Sequence, residues 1–445
     1  MRAAALALSL LLAASPLAGQ VRNGPLTRGP TRSGPAPWMN PPPRMPQAER
    51  LGQPITPGPV PLPSPHHSWI RLETQNFTIF SSAGARTTRR IALDLERLTT
   101  LLLSMSPHFR IPAARTRVFL FGDSRDVRPY LDVARGMRAD AAGVTLRHPD
   151  GSTILVDCTA RGGGDLTPRH ELVHDLVRNH ERPLPLWLEE GLAEYYSSAG
   201  LPVQEHISRV RLARLRLPLE ELFAIRADSP RAATWDFYAE SWAAVAALLT
   251  RDRSAFQAFV ASLGAGMPVD AALREHYAFT PQDLQNAMRR TGKPARSVLS
   301  SGVDLAVAPV PVDYPELVFE LGEFLLRLPG RIADAEQHFR EARPYLESAP
   351  LERTDIAFAL FALCVREGRH DQTEILFSRL ADSPRGLVTR KFLLDAGQDR
   401  AEELASEGKL LEAAQVLREL ARKMPEKARL GLEARAALLE ARAGQ

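Results

Sequence analysis

Cysteine is nearly absent: the 445 residues hold two, Cys158 and Cys364. A chain of this size with so few is not stapled by disulfides, and without a CxxC pair neither thiol belongs to a cysteine zinc site. Both are expected to be buried small hydrophobes, Cys158 beside a strand and Cys364 on an apolar helix face. Long apolar runs are missing as well. The two longest, Ala3–Ala14 and Trp242–Leu249, fall short of the roughly 20 residues that a membrane-spanning helix needs. Basic charge is scarce where it would matter. The formal net charge is +4, yet five Arg against one Glu over 20–66, with Arg2, contribute +5 and leave about −1 for 67–445. The pI of about 9.2 therefore belongs to the N-terminal segment, and no nucleic-acid face is expected on the rest.

What is present begins with a leader. Arg2, the apolar run and the ending Ser15-Pro16-Leu17-Ala18-Gly19 have the charge, length and small residues of a secretory signal peptide over 1–19. A secreted or periplasmic location is expected, with an envelope-associated one open. Gln20 follows rather than Cys, which does not support lipid anchoring there; an uncleaved anchor stays open. After signal cleavage no integral membrane segment is expected. Residues 20–66 hold fourteen of the thirty-six prolines and almost no periodic apolar pattern, so they are expected to form a disordered, Pro-rich tether.

The chemistry is concentrated in Arg169–Tyr196, RHELVHDLVRNHERPLPLWLEEGLAEYY. His170-Glu171-Leu172-Val173-His174 is an HExxH pattern. On a helix, His170 and His174 lie one turn apart on one face and can reach the same ion. Glu171 is offset by about 100°, close enough to touch a water on that ion without being a ligand. Thr167-Pro168 is a helix start, Thr as N-cap and Pro in the first turn. Leu172, Val173, Leu176 and Val177 form the stripe to be buried. Zinc catalysis needs a third protein ligand and an open position. Pro183 and Pro185 break the first helix, and a second over Trp187–Tyr196 carries Glu189, Glu190 and Glu194 back toward the histidines. His180 falls off the ligand face, and Asp165 and Asp175 are either helpers behind the ligands or ordinary solvated or capping residues.

HELVH followed by LPLWLEEGLAEYY resembles the gluzincin metallopeptidases, most closely their peptidase-MA-like branch, in which HExxH precedes W-L-x-E-G-x-A-E-Y. The resemblance covers roughly Trp69–Arg290. It implies a bound zinc ion with His170, His174 and Glu190 as ligands and Glu171 as general base. It also implies that Glu194 orients a ligand histidine. Gly191 is expected to let the second helix approach the first. Tyr238-Ala239-Glu240-Ser241-Trp242 matches the branch's Y-x-x-S-W segment, which implies that Tyr238 is a catalytic donor to the oxyanion; packing on the cleft floor is the alternative. No G-x-M-E-N segment occurs, which sets the chain apart from the aminopeptidases of the group.

Strand-like Trp69–Leu72 and Phe77–Phe80, helical Arg86–Met105, and strand-like Val118–Phe121, Val144–Leu146 and Thr153–Val156 precede the motif. Gly122-Asp123-Ser124 marks a turn, and Gly162–Gly164 a flexible rim. Ile207–Leu217 and Leu219–Phe223 are expected as helix and turn, and a further helix runs to Leu249. By resemblance this is an α+β zincin-like domain over 67–295, a mixed sheet plus the HExxH helix. One edge strand, Val144–Leu146 or Thr153–Val156, would lie beside the cleft. Residues 296–312 are expected to be a linker. Over 313–445, Gly330-Arg331, Gly368-Arg369 and Gly408-Lys409 recur at spacings of thirty-eight and forty between helices, an all-α repeat region resembling degenerate tetratricopeptide repeats. A groove for a protein partner and a scaffold packed on the first domain are both open. The expected function is hydrolysis of peptide bonds in a peptide or protein substrate through a zinc-activated water. The alternative is a non-enzymatic envelope scaffold with a silent zincin domain.

Overall fold

The computed structural model describes residues 58–105, 108–135, 142–148, 151–159, 166–177, 183–199, 217–290 and 307–444. The expected signal peptide, most of the tether, the Gly162–Gly164 loop, Asp165, His180, the body of Ile207–Leu217 and the linker up to 306 lie outside the described residues.

Strand alternation sets the architecture. In β3 (Thr116–Phe121), Val118 and Leu120 enter one core while Phe119 and Phe121 enter another. In β5 (Gly151–Asp157), Ile154 and Val156 face the first core and Leu155 the second. Side chains two apart share a face, so a run apolar at every position needs cover on both sides. Strands β1 (Trp69–Glu73), β2 (Phe77–Ser81), β4 (Gly143–His148) and β6 (Val310–Val312) complete a six-stranded sheet in the order β4-β5-β3-β2-β1-β6. β2, β3 and β5 are parallel neighbours, and the other pairings are antiparallel.

Helix α1 (Ala85–Met105) crosses from β2 to β3 and buries Ile91, Leu95, Leu98 and Leu102 on the first face. That face also receives α3 (Thr167–Val177), α4 (Leu186–Ser197), α5 (Leu219–Ala224) and α6 (Trp235–Arg251). Helices α7 (Arg253–Gly264), α8 (Val269–Tyr277) and α9 (Pro281–Arg290) finish this core. Helix α2 (Ser124–Arg135) extends the turn expected at Gly122-Asp123-Ser124. Asp123 Oδ1 accepts from Arg125 N–H at 2.9 Å, and Val127, Tyr130 and Leu131 press on the second face.

The rest of that second face is covered by the C-terminal helices. α10 (Tyr314–Leu326), α11 (Ile332–Glu341), α12 (Arg343–Ser348), α13 (Thr354–Arg366) and α14 (His370–Leu380) share one core with Trp69, Phe80, Phe119, Phe121 and Leu155. Residues 310–312, inside the expected linker, form β6 instead and pair with Trp69–Arg71. Ion pairs cross the same seam: Arg117 Nε lies 3.1 Å from Glu320 Oε2, and Arg71 meets Glu316. Sheet and helical region are thus one compact unit, because the sheet has two apolar faces and the first domain's own helices cover one and part of the other.

Further along, α15 (Gly386–Ser406), α16 (Leu410–Arg422) and α17 (Glu426–Ala443) build a small third core. The repeated glycines sit where expected between paired helices. Gly368 and Gly408 have φ of 69° and 80°, and the residues after them donate to carbonyls five back, Cys364 and Leu404, at 2.9 Å. That is a left-handed helix stop, which glycine adopts without a Cβ penalty. Among the described residues, no helix is long and apolar enough to cross a membrane.

Candidate metal centre

Helix α3 runs along the first face of the sheet with Leu172, Val173, Leu176 and Val177 buried beneath it. This leaves the face carrying His170 and His174 toward α4, which starts directly after Pro185. The structure brings His170, His174 and Glu190 together. The two Nε2 atoms are 3.0 Å apart, and Glu190 Oε2 lies 3.3 Å from His170 Nε2 and 3.4 Å from His174 Nε2. Glu194, one turn on, sets Oε1 3.2 Å from His170 Nδ1. A neutral His170 that donates Nδ1–H to Glu194 turns its Nε2 lone pair toward Glu190 and His174.

Three acceptor atoms converging in a mostly buried place repel one another unless a cation lies among them. Burial by itself would raise the Glu190 carboxyl; with protons on the His174 and His170 nitrogens in place of a metal, the imidazoles hold it well below the usual carboxylate range. A tetrahedral zinc ion with bonds of about 2.0–2.1 Å has ligand–ligand separations of about 3.3–3.4 Å; the two sides to Glu190 have that length, and the 3.0 Å between the histidine nitrogens is somewhat shorter. The two imidazoles and one carboxylate, without thiolate, suit the same metal.

Glu171 is buried, and the Thr145 hydroxyl lies 2.8 Å from both its Oε2 and its backbone carbonyl. Thr145 belongs to β4, the strand that ends the sheet. Of the two candidate strands, β4 is the one at the sheet's edge and β5 is internal. Gly143 makes the approach possible: a Cβ there would meet Thr167 Cγ2 at 2.7 Å and Glu171 Cγ at 3.0 Å. Tyr238, in the first turn of α6, has its ring edge-on to His170 with centroids 6.4 Å apart. Thr234 caps that helix by accepting from Phe237 N–H at 3.3 Å.

Gly191 acts differently from the expectation. Its bare Cα faces α6 rather than α3, and a Cβ would come within 2.4 Å of Ser241 O and 2.7 Å of Val245 Cγ2. Asp175 also has another place. It is fully buried and accepts from the Thr116 hydroxyl at 2.6 Å, tying α3 to the start of β3.

Three residues around the site carried no recognisable sequence signal of their role. Thr145 and Gly143 acquire theirs only from the β4–α3 contact. Arg169 is wholly buried, pairing Nε with Asp94 Oδ2 at 2.6 Å and donating Nη1–H to Ser197 O and Ala199 O at 2.6 and 2.9 Å. One guanidinium thus ties α1, α3 and the end of α4 together, using the planar fork that Lys lacks. Its signal in the sequence is only a charge beside the motif.

No family model matches this sequence, and no curated protein is similar enough to match it.

Proposed function

We propose that the chain is a zinc metallopeptidase of the gluzincin type on a zincin-like fold, acting on peptide or protein substrates in a secreted or periplasmic setting. The observation that supports this most is the triangle of His170 Nε2, His174 Nε2 and Glu190 Oε2, 3.0–3.4 Å on its sides, with the Glu171 carboxylate on the same helix. His170, His174 and Glu190 would hold the zinc ion, which would supply the Lewis acidity that makes water nucleophilic near neutral pH and polarises a carbonyl. Glu171 takes the proton of the attacking water and passes it to the departing amine. Thr145, hydrogen-bonded to Glu171, fixes the carboxylate for that transfer. Glu194 keeps His170 in the tautomer whose Nε2 is free to ligate. Tyr238 donates its hydroxyl to the developing oxyanion, a role supported by its ring lying beside His170.

The test is elemental analysis of the purified full chain coupled to digestion of a peptide library. One zinc per chain and cleavage that Glu171→Gln lowers by about 10² or more, with zinc retained, is expected. No transition metal bound and none taken up would remove the site. Zinc bound without any cleavage would leave the scaffold reading.

A further inference from the structure

The proposed mechanism leaves unused the segment that enters the fold from the N-terminal side. Residues 58–65 are GPVPLPSP; Val60 and Pro63 are buried, Leu62 is half-buried, and Pro59, Pro61 and Pro65 are exposed. Val60 and Pro63, three apart, share a face as they would on a polyproline helix, which makes no internal hydrogen bonds, and the chain turns only at Pro65–His66. Its backbone groups are met by the protein instead. Val60 N–H donates to Asp334 Oδ1 at 3.0 Å, and Gly58 O accepts from Arg331 Nη1 at 3.1 Å. Pro63 O accepts from the Tyr314 hydroxyl at 3.0 Å. Arg331 and Asp334 steady each other at 3.2 Å.

Tyr130 has another part. Its hydroxyl is 3.4 Å from Pro61 O but 2.8 Å from His338 Nε2. His338 uses its Nδ1–H on Asp334 O at 2.8 Å, so its Nε2 accepts and takes the single Tyr130 proton. Tyr130 therefore serves as an aromatic wall for Val60 and Leu62, which share its core. Just after the segment, His67 Nδ1 lies 2.5 Å from Asp126 Oδ2 and pins the exit.

We infer that the groove between α2, α10 and α11 is a binding site for extended proline-rich peptides, and that Gly58–Pro65 is its ligand, bound in cis. The groove reads what such a peptide offers: carbonyls that Tyr and Arg donors reach, one N–H between prolines, and two apolar residues three positions apart, Val60 and Pro63. A polyproline segment arrives already extended and loses little entropy on docking. Its covalent link through His66–Ser68 gives it an effective concentration on the order of millimolar, which excludes a free peptide from the intact chain. The groove draws one wall from α2 and the other from α10 and α11, so the ligand also spans the seam between sheet and repeats.

The test uses the full chain with a site-specific protease sequence placed between His66 and His67, cut after folding and passed through gel filtration. A fluorescein-labelled GPVPLPSP peptide is the probe, followed by anisotropy. The cut chain is expected to bind it saturably and the uncut chain at least about 10²-fold more weakly. Tyr314→Phe and Asp334→Ala should each weaken binding to the cut chain by roughly 2- to 10-fold. A cut chain that keeps its circular dichroism yet binds this peptide no better than one carrying Val60→Asp overturns the inference. Should the cut chain unfold, amide exchange in the intact chain decides. Slow exchange at Val60 that Asp334→Ala abolishes supports the groove, and exchange at the rate of an unstructured peptide refutes it.

Discussion

Gly191→Ala is the most telling perturbation of the proposed metal centre, because the residue is none of the three candidate ligands. A Cβ at this position would lie 2.4 Å from Ser241 O and 2.7 Å from Val245 Cγ2, the first roughly 1 Å inside van der Waals contact. The clash is with backbone, so a rotamer change does not relieve it and α4 must move relative to α6. Overpacking of this kind costs about 1–3 kcal/mol, against a helix-propensity gain of about 1 kcal/mol. A net loss of up to about 2 kcal/mol follows. Glu190 is the adjacent residue, and its Oε2 stands 3.3 and 3.4 Å from the two histidine nitrogens. A shift approaching 1 Å takes the triangle out of the range that bonds of about 2.0–2.1 Å allow, and zinc affinity should drop by about 10-fold or more. Gly431→Ala is the control, since a Cβ there meets nothing within 4 Å. Thermal unfolding gives the stability and chelator competition the affinity. If Gly191→Ala matches Gly431→Ala in both, the close contact between α4 and α6 does not hold Glu190 in place, and the reasoning fails.

The carboxylates of the site should separate cleanly. Glu190→Gln removes a charged ligand and should strip zinc on dialysis, whereas Glu194→Gln should lower affinity or activity by about 10–100-fold; the opposite ranking in a metal-content assay would exchange their roles. Asp94→Ala leaves the buried Arg169 guanidinium without its carboxylate and should cost about 3 kcal/mol in urea unfolding, an outcome that wild-type stability would contradict. His338 gives a pH dependence. Burial pushes its imidazole down to about 4 from an ordinary 6.5, so between these values the unfolded chain binds more protons and stability rises with pH. The contribution is complete above about 6.5 and fades as pH falls toward 4, by up to about 3 kcal/mol. His338→Gln should therefore lose less stability than wild type between pH 7 and pH 5, and equal losses would show that His338 titrates normally.

Local pattern alone determined much of this protein. The 3.6-residue repeat put His170 and His174 on one face, and the apolar stripe of α3 fixed which face is buried. Proline before α4 and glycine after α13 and α15 marked their ends, since each acts through its own backbone. Val118–Phe121 was legible as a strand, and its unbroken apolar run is met by cores on both sides. What covers the second side was not legible. Val310–Val312 is too short and proline-bearing to stand out as a strand, and α10–α14 have the composition of a free-standing repeat array. Only the uncovered face of the sheet, which exists once the strands have paired, makes them one core. Near the metal centre the same division holds. Which of Glu189, Glu190 and Glu194 faces the histidines follows from where α4 crosses α3, and that is set by Gly191 against Ser241 and by Arg169 holding the end of α4. Those are contacts between residues 28 to 50 positions apart, and no local propensity encodes them. The docking of Gly58–Pro65 lies furthest from the sequence: its prolines read as an open tether until Asp334 and Tyr314, some 250 residues away or more, supply the hydrogen bonds its own backbone lacks.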